Sequence, residues 1–128
     1  MKQSILKCIL FISVSVLFSN KAVAQNEVTN RTVLIINAVV DQEHKQELQG
    51  YLSQMMQIFR DNGGKPLGRY ITIEKIKGSQ VPEMIAIVSF ENAETIKKML
   101  DGDEYKSLSE LRERVFSVLK IVLCVELN

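Results

Sequence analysis

Thr32–Val40 reads TVLIINAVV, and this stretch decides the fold. It is apolar and β-branched almost throughout, with neither a helical period nor a strict alternation. A run of this length and kind is a central strand covered on both faces. Asn37 is its one polar interior residue. A buried amide needs hydrogen-bond partners, so Asn37 marks either a structural bond or a ligand contact.

Towards the C-terminus the pattern changes to a helical one. Asp41 can cap a helix running to about Asp61, with Leu48, Leu52, Met55, Met56 and Phe59 forming one apolar stripe. Asn62-Gly63-Gly64 ends it with residues that accept a left-handed conformation. Gly50 falls on the opposite face, where glycine costs about 1 kcal/mol against alanine. His44, the single histidine, extends the stripe by one turn at the helix start.

Leu67–Lys77 alternates loosely and reads as a second strand, followed by the turn-rich segment 78–82. Met84–Phe90 (MIAIVSF) is a third, strongly apolar strand. Two strands joined by so short a loop pair antiparallel. Asn92 then caps a helix with Ala93, Ile96, Met99 and Leu100 on its inner face, and Asp101-Gly102-Asp103 breaks it. Asp103–Arg112 (DEYKSLSELR) is read as one more helix. Tyr105 and Arg112 stand seven residues apart, almost two turns, on the face that also carries Leu108 and Val115. An inward arginine requires an acceptor, and Glu104, Glu126 and Asp41 are the candidate carboxylates. Leu119–Leu127 closes the chain as a fourth strand.

Strand, helix, strand, strand, helix pair, strand is the order of two βαβ halves. It predicts an α+β, ferredoxin-like βαββαβ sandwich, a four-stranded antiparallel sheet with helices on one face. One layer of helices covers one sheet face, yet the strands are apolar on both. At about 25 cal/mol per Å² of apolar surface, a wet second face is costly, so a homodimer through that face is expected.

The other end of the chain reads differently. Lys2 and Lys7, the apolar run Ile9–Phe18 and Ala22-Val23-Ala24 have the order of a secretory signal peptide cut after Ala24. The expected product is exported, periplasmic or secreted, with a flexible arm over 25–31, one domain over 32–127 and no membrane segment after cleavage. The leader holds three of the 16 basic residues and none of the 15 acidic ones, so 13 basic and 15 acidic residues remain. That balance carries no footprint for nucleic acid. Only Cys124 survives cleavage. It is read as a buried, inert thiol, with an intermolecular disulfide as the alternative.

Asp41, Gly63-Gly64, Gly78, the strand ending at Phe90, Glu104-Tyr105 and Arg112 resemble, in order and spacing, the family called domain of unknown function 1330. The resemblance covers nearly all of Thr32–Leu127. It implies membership of the dimeric α/β-barrel superfamily, in which two sheets face each other, and implies no settled activity. Where family members often carry Glu-Phe-Pro after the third strand, this chain has Ser89-Phe90-Glu91.

There is no metal-ligand cluster, phosphate-binding glycine loop or nucleophile triad in the sequence. No cofactor is called for. The candidate ligand-binding set is Arg112 and Tyr105 from the helix, Asn37 and Arg69 from strands, and His44. An arginine beside a phenol suits a small carboxylate or enolate. Two functions follow: a small-molecule binding or scaffold module, or a cofactor-independent enzyme of monooxygenase or isomerase type acting on an aromatic or enolisable acid.

Overall fold

The computed structural model describes residues 31–127. The expected leader over 1–24 and all but the last residue of the expected arm lie outside the described residues. Strand β1 (Thr32–Val40) leads into a 3₁₀ turn (Gln42–Glu47) and helix α1 (Leu48–Asp61). Strands β2 (Lys65–Ile71) and β3 (Met84–Phe90) form the hairpin. Helices α2 (Ala93–Asp101), α3 (Asp103–Ser107) and α4 (Ser109–Val115) precede β4 (Phe116–Val125). The sheet order is β2-β3-β1-β4, and all three pairings are antiparallel. This is the ferredoxin-like sandwich.

Register assigns the two faces. Leu34 pairs with Val88 and Leu123, Ile36 with Ala86 and Ile121, and Ala38 with Met84 and Leu119. These residues share the helix side of the sheet. There Leu34, Ile36, Ala38, Met84, Val88, Leu119 and Ile121 meet Tyr51, Met55 and Phe59 of α1 and Ile96 and Met99 of α2 in one core, while Leu123 near the end of β4 is exposed. Leu34, Ile96 and Val115 are its most deeply buried side chains. Ile35, Asn37 and Val39, with their partners Ile87, Ile85, Val122, Lys120 and Val118, form the opposite face, which no helix among the described residues covers.

Several boundaries differ from the sequence reading. β2 starts two residues earlier than expected and ends at Ile71, because Ile71↔Met84 is the last rung of the hairpin. Thr72 still bonds Glu83 backbone to backbone, but the Glu83 amide then turns to the Ala38 carbonyl and leaves the hairpin for β1. Ile73, in this segment, is 98% exposed. β4 runs Phe116–Val125 rather than Leu119–Leu127, since Phe116 already has extended backbone and pairs with Val40 across a bulge.

The first helix is also broken. Asp41 does cap, its Oδ1 accepting from the Glu43 amide at 2.8 Å, but it caps the 3₁₀ turn. His44 leaves helical geometry (φ −115°, ψ 15°), and α1 proper begins at Leu48. Its end falls at Asp61 as expected. Gly63 takes the left-handed conformation there (φ +76°). A Cβ on Gly64 would lie 2.8 Å from the Phe90 ring and 2.9 Å from the Phe59 carbonyl, so only glycine lets α1 close onto β3. A Cβ on Gly50 would meet nothing within 4 Å beyond its own helix among the described residues. Gly50→Ala should therefore stabilise the domain by about 0.5–1 kcal/mol through helix propensity and unfolded-chain entropy. A higher urea midpoint at unchanged slope would verify this, and an unchanged or lower midpoint would refute it.

The expected single helix Asp103–Arg112 is two short helices meeting at Leu108 (φ −91°, ψ 4°). The Ser107 and Ser109 hydroxyls donate to the Glu104 and Lys106 carbonyls at 2.6 and 2.7 Å. Such side-chain bonds compete with the helical ladder and explain the break. Arg114 joins Glu47 through two bonds of 3.1 and 3.3 Å, tying α4 to the 3₁₀ turn.

Candidate functional site

Between the helices and the sheet lies a cavity of about 290 Å³. Its floor is made by cross-strand rows. One row runs Arg69↔Ala86↔Ile36↔Ile121 across all four strands, and beside it stands Met84↔Ala38↔Leu119. The two alanines leave the space: large residues at 38 and 86 would fill the middle of the floor. The roof is Tyr51, Leu52, Met55, Met56 and Phe59 of α1, with Leu100 and Tyr105 from α2 and α3. Aliphatic and aromatic side chains make most of the wall. The polar side chains on it are Tyr51, Tyr105 and Arg69.

Arg112 organises the cluster above this roof. Its Nε donates to the Tyr51 hydroxyl at 3.2 Å, and its Nη2 donates to the Tyr105 carbonyl at 2.7 Å. The guanidinium also stacks 3.6 Å from the Tyr105 ring centroid. At the break the Leu108 amide donates to the Tyr105 carbonyl at 3.2 Å, and a cation near a helix C-terminus adds a favourable second donor there. Arg112 thus caps α3 and ties it to α1. The expected carboxylate partners are corrected: among the described residues Glu126 pairs with Arg31 at 3.6 Å and Asp41 with His44 at 3.5 Å. Glu104 forms no ion pair among the described residues. A phenol and a carbonyl take the place of the acid.

Burial pushes the Tyr51 phenol up, and the Arg112 hydrogen bond only partly offsets that. Tyr105 is raised for the same reason, again opposed by Arg112. Both phenols are therefore protonated at neutral pH and act as hydrogen-bond donors, not bases. Because the Tyr51 oxygen accepts from Arg112, its own proton remains for a second acceptor. Tyr51 also packs edge-on to Phe116 at 5.2 Å.

The five expected site residues separate. Tyr105 and Arg112 are adjacent as expected, and Arg69 reaches the same cavity from the β2 edge. Asn37 does not join them. It lies on the other sheet face, across from Lys120, beside a hollow under residues 80–82 where Lys120 Nζ donates to the Gln80 side chain at 2.9 Å. Every second residue of a strand changes face, and Asn37 has the opposite parity from Ile36 and Ala38. His44 sits in the 3₁₀ turn with Asp41 and does not line the cavity. Asp41, Glu43 and His44 place one potential ligand atom each within 4.8 Å of one another, a partly exposed group at the surface. Cys124 is half-buried on the open sheet face rather than in the core.

Tyr51 is the residue the sequence reading missed. Its signal was present, since it stands three residues after Leu48 and four before Met55 on the apolar stripe.

Comparison with known proteins agrees with this architecture. No curated protein matches the chain. Among solved structures, a protein of unknown function from Rhodopseudomonas palustris superposes with a TM-score of 0.67 at 10% identity, covering 78% of this chain and 85% of that one. A protein provisionally named an antibiotic biosynthesis monooxygenase, from Nitrosomonas europaea, gives 0.58 at 12% identity, covering 78% and 93%. An uncharacterised NIPSNAP-like domain protein from Burkholderia xenovorans gives 0.54 at 11%, covering 78% and 88%. At these identities the likeness is one of fold. The model of the family "domain of unknown function (DUF1330)" matches residues 32–125, the whole of the sheet and its helices, and the chain belongs to that family.

Proposed function

We propose that this protein is an exported homodimeric module that binds a small, largely apolar molecule between its helices and its sheet. The observation that carries the reading is the cavity of about 290 Å³ floored by Ala38 and Ala86 and roofed by α1. It is about twice the size of an engineered cavity that takes up benzene. A natural core of this size does not leave such a space without cost, because each lost contact weakens packing. Export is supported by the basic start, apolar run and Ala22-Val23-Ala24 of the leader.

Dimerisation is supported by the sheet face that none of the described helices covers. It offers Ile35, Val39, Ile85, Ile87, Val118 and Val122, with Lys120 among them. Two such faces stacked about 10 Å apart fill the space between them with side chains of this size. A two-fold axis lets one patch serve both copies.

Native mass spectrometry of the protein purified from its own envelope and exposed to naphthalene tests the reading. The expected mass is two chains beginning at Gln25, with a bound small molecule. Ala86→Phe, which fills the middle of the floor, should lose that adduct and keep the dimer. An adduct that persists unchanged in Ala86→Phe would place the ligand elsewhere and end the proposal.

The enzyme reading, a cofactor-independent monooxygenase or isomerase acting on an aromatic or enolisable acid, has one observation in its favour. Two desolvated phenols on the cavity wall are hydrogen-bonded to or stacked with a guanidinium, and such donors stabilise a developing enolate. Oxygen uptake or solvent-deuterium exchange with a bound enolisable aromatic acid, lost in Tyr51→Phe, would favour it.

A further inference from the structure

The cavity has one cationic end. Arg69 stands on the edge strand β2 as the first member of the row Arg69↔Ala86↔Ile36↔Ile121, and everything beyond it in that row is apolar. Neighbouring strands lie about 4.8 Å apart, so the row extends roughly 14 Å from the arginine to Ile121. The Arg69 side chain is exposed, makes no ion pair among the described residues and forms part of the cavity wall. The other arginine of the region, Arg112, does not line the cavity. Two of its N–H groups are committed to Tyr51 and Tyr105.

On the reading that this cavity is a binding site, we infer that its occupant is a single-headed amphiphile. It has one carboxylate-like oxyanion at Arg69 and an apolar body lying over Ala86 and Ile36. A guanidinium binds a carboxylate through two parallel N–H bonds, and one guanidinium at the rim accommodates one such group. Among the described residues the far end offers no second charge to a dianion. Scaled from the benzene-sized cavity, about 290 Å³ suits a body of roughly ten carbon atoms. Two fused rings and a medium aliphatic chain share that chemistry. Tyr51 and Tyr105, both protonated donors, add polar contacts along the roof without adding charge. Arg69 is thus the residue that selects an acid over the corresponding hydrocarbon.

The test uses the mature full-length protein and three probes: naphthalene, 2-naphthoate and decanoate. Calorimetric titration should show 2-naphthoate binding at least tenfold more tightly than naphthalene. Arg69→Gln, an exposed edge-strand change that leaves the core intact, should remove that tenfold and leave naphthalene unaffected. Raised salt should weaken the naphthoate and not the naphthalene. Decanoate binding more tightly than 2-naphthoate would identify an aliphatic body, and the reverse order an aromatic one; either satisfies the inference if Arg69→Gln weakens the tighter acid tenfold. If naphthalene binds and Ala86→Phe abolishes it, while Arg69→Gln leaves the acids unchanged, the head-group assignment fails and the cavity reading stands. If none of the three binds, both fail.

Discussion

Arg112→Leu is expected to lower the stability of the domain by about 2–4 kcal/mol, since hydrogen bonds to a charged group contribute about 1.5–3 kcal/mol each and two are lost. The change leaves the Tyr105 carbonyl with the Leu108 amide as its one donor and takes from the Tyr51 oxygen the donor it accepts. It also ends the stacking on Tyr105, which at a partly exposed site is worth about 0.5–1 kcal/mol. Leucine adds some apolar burial beside Leu108, which reduces but does not cancel the loss. For a domain of this size the melting temperature should fall by roughly 10 °C or more. Arg112→Lys should recover less than half, because an ammonium has no fork with which to serve a phenol and a carbonyl together. Thermal and urea unfolding of the three proteins decide the matter. A melting temperature for Arg112→Leu within about 2 °C of the parent would mean that the cluster contributes little, a range that corresponds to a few tenths of a kcal/mol.

The second large effect concerns the open sheet face. Val122 is 46% exposed in the single chain and pairs with Ile35 in the centre of that face. Aspartate there stays solvated in one chain but is buried in each copy of a face-to-face dimer. Burying an unpaired charge costs several kcal/mol, and each 1.4 kcal/mol is tenfold, so the dissociation constant should rise at least about 100-fold. Sedimentation at micromolar concentration should show the parent as a dimer and Val122→Asp as a folded monomer. The thermal melt of the variant provides the control for folding. A parent that sediments as a monomer under these conditions would remove the case for a shared sheet face.

Some of this molecule is legible residue by residue. β1 and β3 fall at Thr32–Val40 and Met84–Phe90, the bounds read from their uninterrupted apolar runs. Asn92 caps α2, its side chain accepting from the Thr95 amide at 2.9 Å. These are local properties: β-branched runs favour extended backbone, and a cap satisfies amides within three residues. The junction Val115–Phe116 is not local in this way. Val115 and Phe116 are both apolar and buried, and only pairing with Val40 makes the second of them strand. Likewise β2 ends at Ile71 because its partner strand stops supplying rungs, not because Thr72 or Ile73 disfavours a strand.

The candidate site divides along the same line. Helical spacing placed Tyr105 and Arg112 together, but they meet across the break at Leu108, where the Tyr105 carbonyl accepts from Arg112. The sequence by itself determined the order of elements, the two-sided apolar character of the central strands and the positions where glycine ends α1. Tertiary structure alone decided which groups satisfy Arg112, that Asn37 lies apart and that Arg69 shares the cavity. A strand apolar on both sides carries no mark of which side the helices take. Facing is then set by register between strands distant in sequence, and one residue of slip would exchange Asn37 with Ile36.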